Sequence, residues 1–363
     1  GSLNVALDAS SIGGDLTVTS GAEAGITDND TVTVGGNLTA TTDDNNGVIN
    51  MDTLAVDGTI ALTTNGSGNA TVVNDQGLAF AASTVGGALS ATATTGNITD
   101  SGTLAITGAS TFVTKASGSN IILDDSGNTF SGAVTMKADT AGNEDFGDIT
   151  FVDSADVKLD LNAGDEGDLF IDASTDGAVG GNLSVTASNG NITQGVALAV
   201  TGNTTLNALN SGNVTLSNAL NSFTGAINIT GAAVDIENNI ATILGSSTVS
   251  STYALDSNGA ITQNGALAIN GATTLVTSAN DATITLGTNT NAFTGALSIT
   301  TNDESGTDAH VTIDGGTTAL NIAASTIDGD LTLTSGHASG IVDSGTVTVG
   351  GNLTATTDDN NGV

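Results

Sequence analysis

Residues 325–363 repeat residues 10–48. Aligned with a shift of 315 and no gap, 30 of the 39 positions are identical. The last eighteen, TVTVGGNLTATTDDNNGV, agree throughout (Thr31–Val48 and Thr346–Val363). A segment that recurs must find equivalent surroundings each time, and repeat architectures provide them by stacking one unit on the next. The echo therefore predicts one long unit followed by the opening of another, and so a segment of a longer body.

A shorter period runs inside the long one. GGDLTV at Gly13, GGNLTA at Gly35, GGALSA at Gly86, GGNLSV at Gly180, TGALSI at Thr294 and GGNLTA at Gly350 share a glycine turn followed by alternating apolar and small polar residues. Alternation at period two marks a strand with one buried face, and no stretch keeps helical spacing. Three matching motifs act as a ruler. Asn-Thr-Phe-Ser-Gly-Ala, Asn-Ser-Phe-Thr-Gly-Ala and Asn-Ala-Phe-Thr-Gly-Ala place Phe130, Phe223 and Phe293 at separations of 93 and 70. Four and three coils of about 23 residues account for both distances. The predicted fold is all-β: a right-handed parallel β-helix of about 22–24 residues per coil, continuous over residues 1–363. Phe130, Phe223 and Phe293 are expected in its core. At the strand spacing of about 4.8 Å, some 16 coils would make a rod roughly 75 Å long. The absence of proline suits this fold, since proline deletes a ladder hydrogen bond. An antiparallel sandwich would not repeat at one coil length. The stretch from Asp139 to Asp176 has the weakest signatures and is expected to bulge.

The charge is lopsided, with 38 acidic residues against Lys115, Lys137 and Lys158. A formal net charge of −35 excludes the basic footprint that nucleic acid requires. No apolar run approaches the roughly 20 residues that span a bilayer, so membrane insertion is not expected. Without cysteine there are no disulfides or thiolate sites.

The candidate chemistry is sparse. The glycine pairs lack the Lys and Ser/Thr of a phosphate loop and read as turns. His310 and His337 are far apart in sequence and read as surface residues. Thr-x-Thr runs, as at Thr17–Thr19, do not recur on every coil as an ice-binding face would demand. Carboxylates are the one serious group, crowded between Asp139 and Asp176 and clustered again near Asp28 and Asp43. Hard oxygen donors favour Ca²⁺, and Asp28, Asp30, Asp43, Asp44, Asp145, Asp148, Asp165 and Asp168 are the candidate ligands. No EF-hand or glycine-aspartate calcium repeat is present, and the competing reading is a solvated acidic face. Spread along such a rod, the charge comes to about one per 2 Å, close to that of duplex DNA. Divalent cations are therefore expected to gather on it and to let neighbouring rods pack. With no arginine and no His–acid pair, catalysis is not expected.

The repeats at Gly181–Ala208 (GNLSVTASNGNITQGVALAVTGNTTLNA) and Asn128–Ala138 (NTFSGAVTMKA) resemble the body repeats of large bacterial exoproteins, the filamentous-haemagglutinin-like adhesins. That resemblance implies a β-helical shaft, secreted to the cell surface. The Asn-Pro motifs of the family's secretion domain have no counterpart, since the chain has no proline. The expected function is a stiff, non-catalytic spacer in an extracellular adhesin or fibre, its partners being further copies of its own repeat and divalent cations. The rival readings are a self-assembling filament or surface-layer subunit, and a polysaccharide-binding or -cleaving β-helix. With one tyrosine and no tryptophan, sugar stacking is poorly provided for.

Overall fold

Period-two alternation becomes strands of two to eight residues, stacked in parallel from one coil to the next. The fold is a parallel β-solenoid. It is seen in a computed structural model that describes residues 4–138, 147–155, 157–159, 168–171, 178–287, 291–302, 306 and 308–357. The chain divides into two compact units, Gly1–Ser188 and Asn189–Val363.

In the first unit the opening coil carries β1 (Val5–Leu7), β2 (Ser10–Ile12) and β3 (Leu16–Ser20). The next coil carries β4 (Ile26–Asp28), β5 (Val32–Val34) and β6 (Leu38–Asn45). A third follows with β7 (Ile49–Val56) and β8 (Thr59–Asn65). Register is kept from coil to coil: Val5 stacks under Ile26 and Ile26 under Ile49, while Leu16 lies under Leu38 and Leu38 under Ile60. Inward positions along these columns are small aliphatics that are closed to solvent, Ile26, Val32, Leu38, Ile49 and Ile60 among them. Four phenylalanines thicken the core: Phe80 meets Phe112 edge-on at 6.2 Å, Phe112 meets Phe130 at 6.1 Å, and Phe130 tilts against Phe151 at 5.1 Å.

The second unit uses the same construction. Val214, Val234, Tyr253, Thr273 and Leu297 form one in-register column. Ile261, Ile284, Val311, Leu331 and Leu353 form another. Phe223 and Phe293 are buried over Val200 and Ile269.

The coil length varies more than the sequence pattern suggested. From Val5 the column passes through Ile26, Ile49, Ala70, Leu89 and Ser110 to Val134, so most turns are short and the turn from Ala70 to Leu89 is the tightest of these. Ile284 to Val311 is a longer turn, and the turns from Ile121 to Ile149 and from Ile149 to Leu183 are longer still. Strand register is conserved while the corners absorb the difference, because the closure entropy of a loop grows only slowly with its length. These long turns, and the step from Val134 to Leu169 beside them, fall where a bulge was expected. Residues 139–146, 156, 160–167 and 172–177 lie outside the described set.

Two glycine positions follow from the stacking. At Gly36 and its counterpart Gly351, a Cβ would run into the carboxylates of Asp15 and Asp330 respectively, in the coil beneath. Gly25 and Gly340 hold the same corner in left-handed conformation, with φ of 69° and 65°.

Candidate functional site

Polar side chains at the corners are mostly engaged with backbone, one coil to the next. Asp15 accepts the Asn37 N–H at 2.7 Å, and Asn37 in turn accepts the Thr59 N–H at 2.9 Å. A second ladder runs from Asn97 to Asn120 to Asp148 to Asn182, each side-chain oxygen taking the next residue's N–H at 2.7–2.8 Å. In the second unit Asn191 and Asn213 continue the pattern, and Asp330 holds the Asn352 N–H at 2.6 Å. Strands leave corner amides unpaired, and a short side chain with a fixed acceptor satisfies them.

A deeper device sits at the Asn-x-Phe motifs. Asn128, Asn221 and Asn291 are buried, and their Oδ1 atoms accept the N–H of Leu104, Leu198 and Leu267 in the preceding coil, at 2.8, 2.8 and 3.0 Å. Their Nδ2 groups donate to Asp100, Gln194 and Gln263. Those three residues end matching Ile-Thr-Asp/Gln strands, so acid and amide serve the same acceptor role. The Gln–Asn pairs are reciprocal, Gln194 Nε2 and Gln263 Nε2 donating back at 2.8 and 2.9 Å. Burial raises the Asp100 carboxyl above its ordinary value, against the N–H groups of Asn128, Asp124 and Asp125 that pull it down. Asp153 is raised by burial in the same way, opposed mainly by the Phe130 N–H that it accepts. Asn238 and Thr318 take the corresponding N–H of Phe223 and Phe293. The phenylalanines were legible in the sequence; the asparagines two residues earlier, which close the corners, were missed although the same motif displays them.

The proposed calcium ligands are placed as follows. Asp28 is buried at the end of β4, its Oδ1 accepting the Asp52 N–H at 3.0 Å and its Oδ2 the Thr53 N–H and hydroxyl at 2.9 Å. Asp30 is exposed and accepts the Thr31 N–H at 2.7 Å. Asp43 is exposed, and Asp148 is a rung of the ladder above. Asp145 and Asp165 lie outside the described residues, as do the side chains of Asp44 and Asp168. Among the described residues, no three His, Asp or Glu side chains converge to hold a metal ion.

The carboxyls of Asp281 and Asp308 meet. They share a hydrogen bond, which with the charges of Asp308 and Asp328 raises Asp281 above the usual carboxylate range. Asp328 is buried and accepts the N–H groups of Asp308 and Ala309 at 3.0 and 3.3 Å. Both histidines are exposed and use Nδ1 as an acceptor, His310 from the Asp330 N–H and His337 from the Ser339 N–H. Tyr253 is buried, its hydroxyl has no partner, and burial pushes its ionisation far above the ordinary value.

Two clefts differ in character. One of about 220 Å³ is polar and acidic, lined by Glu237, Asn239, Asp256, Asn258 and Ser278. The other, of about 290 Å³, is apolar, with Leu331, Leu333, Ile341, Val347, Leu353 and Ala355 in its wall. It lies on the coil at 341–357, where Val342 is 52% and Leu353 59% exposed.

The family described as "Repeats of unknown function (DUF5649)" matches residues 67–137, 147–230, 231–300 and 308–363. The first three matches each contain one Asn-x-Phe corner close to their end, at Phe130, Phe223 and Phe293. No curated protein matches the chain, and no solved structure matches it.

Proposed function

The chain belongs to this family of repeats, and on that premise we propose that it is a spacer: a stiff, non-catalytic length of shaft in an extracellular bacterial adhesin or fibre. One observation carries the reading. The same segment occurs at Thr31–Thr42 and Thr346–Thr357, with the same strands and the same register on the coil beneath. A solenoid with this property lengthens by adding units without altering those already stacked. The side-chain chemistry supports the same role. Asp15, Asp28, Asp100 and Asp148 are spent on backbone N–H groups of the neighbouring coil. The extracellular setting rests on the likeness of the repeats to exoprotein bodies, and the acidic surface keeps such a shaft hydrated and apart from anionic surfaces. Divalent cations act on it as counterions drawn by charge density.

The test is to append a second copy of the segment from Ile49 to Val363 directly after Val363, and to measure particle length by electron microscopy. An increase of roughly 65 Å, about 14 coils at the strand spacing, is expected. A longer chain with an unchanged axial dimension would overturn the spacer reading.

A further inference from the structure

Ile98–Leu104, Ile192–Leu198 and Ile261–Leu267 align without a gap, and Asp100, Gln194 and Gln263 fall at one position. Each receives the Nδ2 of a buried asparagine, Asn128, Asn221 or Asn291, at 2.6, 2.9 and 3.0 Å respectively. The glutamines also donate. Gln194 Nε2 reaches the Val196 carbonyl at 2.6 Å and Asn221 Oδ1 at 2.8 Å; Gln263 Nε2 reaches the Gly265 carbonyl at 2.8 Å and Asn291 Oδ1 at 2.9 Å. The matching acceptors at the first corner are the Gly102 carbonyl and Asn128 Oδ1. An ionised carboxylate has no hydrogen to offer either of them, whereas a protonated one carries a single O–H.

We propose that Asp100 is a proton-operated latch: neutral, it supplies the donor that Gln194 and Gln263 supply to their corners, and ionised, it withholds it, so that mild acid ties the coil at Ile98–Leu104 more firmly to the coil at Ile121–Phe130. It acts whether or not the chain serves as a spacer. The acid O–H donates to Asn128 Oδ1 while Asn128 Nδ2 donates to the acid, which is the reciprocal pairing already present at both glutamines. The surroundings favour the neutral form. Asp100 is half-buried, and the charged groups beside it share its sign. Asp124 and Asp125 come from the coil above, and Asp153 lies past Asn128 on the next, where it takes the Phe130 N–H. The strand beneath, Leu78–Phe80, brings no charged side chain. Burial outweighs the N–H groups that Asp100 accepts and lifts its carboxyl above the ordinary 3.8. A raised folded-state value adds stability that is complete below 3.8 and is lost as pH rises through the raised value.

Hydrogen exchange on the intact chain tests the latch at the three amides that the buried asparagines hold, those of Leu104, Leu198 and Leu267. As the medium is acidified from neutrality towards 3.8, the protection of the Leu104 N–H, corrected for its intrinsic rate, should rise severalfold relative to the other two. Equal changes at the three amides, or a relative fall at Leu104, would overturn the latch. Two substitutions separate the donor from the charge. Asp100→Asn carries a permanent donor and should melt above the parent chain at neutral pH, the gap shrinking on acidification. Asp100→Ala, neutral but without a donor, should melt below Asp100→Asn at every pH. A gap between Asp100→Asn and the parent that does not change with pH, or Asn and Ala variants that melt alike, would also overturn it. Should either variant fail to fold, Gln263→Glu puts an acid at an amide corner. Protection of Leu267 should then rise on acidification as that of Leu104 does, and an unchanged Leu267 amide counts against the latch.

Discussion

The segments at Thr31–Thr42 and Thr346–Thr357 have one sequence and two environments. Their strands start and pair alike: Leu38 lies over Leu16 as Leu353 lies over Leu331, and Asn37 is held by Asp15 as Asn352 is by Asp330. They differ in what lies above them. Val32, Val34, Leu38 and Ala40 are sealed, while Leu353 and Ala355 are open to solvent. One neighbouring coil is thus enough to set conformation and register, and a second is needed to bury the side chains. In a solenoid the two contributions that globular folds merge are separable, with stability a sum of coil and interface terms.

Substitutions at matched positions sharpen this difference, and the largest contrast is expected at the leucines. Leu38→Ala should cost about 2–5 kcal/mol, whereas Leu353→Ala should stay within about 0.5 kcal/mol in dilute solution. Urea unfolding of the two variants gives the comparison directly, and equal losses would break it. The asparagines come next. The Asn37 side chain accepts the N–H and the hydroxyl of Thr59 in the coil above, so Asn37→Ala should lose about 0.5–1.5 kcal/mol, the net worth of a hydrogen bond; the Asn352 side chain makes one bond, to Asp330, and Asn352→Ala should lose less. The same unfolding curves measure it. The smallest effect concerns acid. The Asn352 N–H, with help from its side chain and His310, holds Asp330 below the ordinary carboxylate value of 3.8. A lowered folded-state value favours the folded chain above 3.8 and loses that support as pH falls through the lowered value. Asp330→Asn should therefore lose slightly less melting temperature on acidification than the parent chain, read by circular dichroism across that window.

The stacked strands were legible because alternation and glycine turns are local, and a coil step shows as recurrence in the sequence. Phe130, Phe223 and Phe293 marked real corners, but the asparagines at 128, 221 and 291 read as ordinary turn residues. Their role depends on partners in neighbouring coils, a full turn or more away along the chain. The family match exposes an intermediate period, of which the echo between the two ends of the chain spans four units. Variable corners hid it: the turn from Ala70 to Leu89 is so much shorter than that from Ile149 to Leu183 that no fixed spacing survives. The carboxylates were chosen for their density along the chain. In a strand, successive residues point to opposite faces, and a coil carries its corners to different sides. Asp28 ends its strand and is buried against Thr53, while Asp30 lies past the strand in the corner and faces solvent.

The uneven coil length has a practical meaning. Ala70, Leu89, Ser110 and Val134 keep one column although the chain from Ser110 to Val134, with its wider corners, is longer than that from Ala70 to Leu89. The stack thus behaves like shelving with open brackets: a corner accepts foreign sequence while the strands on either side stay in step. Such a scaffold can change what it displays at one height by insertion alone, leaving the mechanics of every other level untouched.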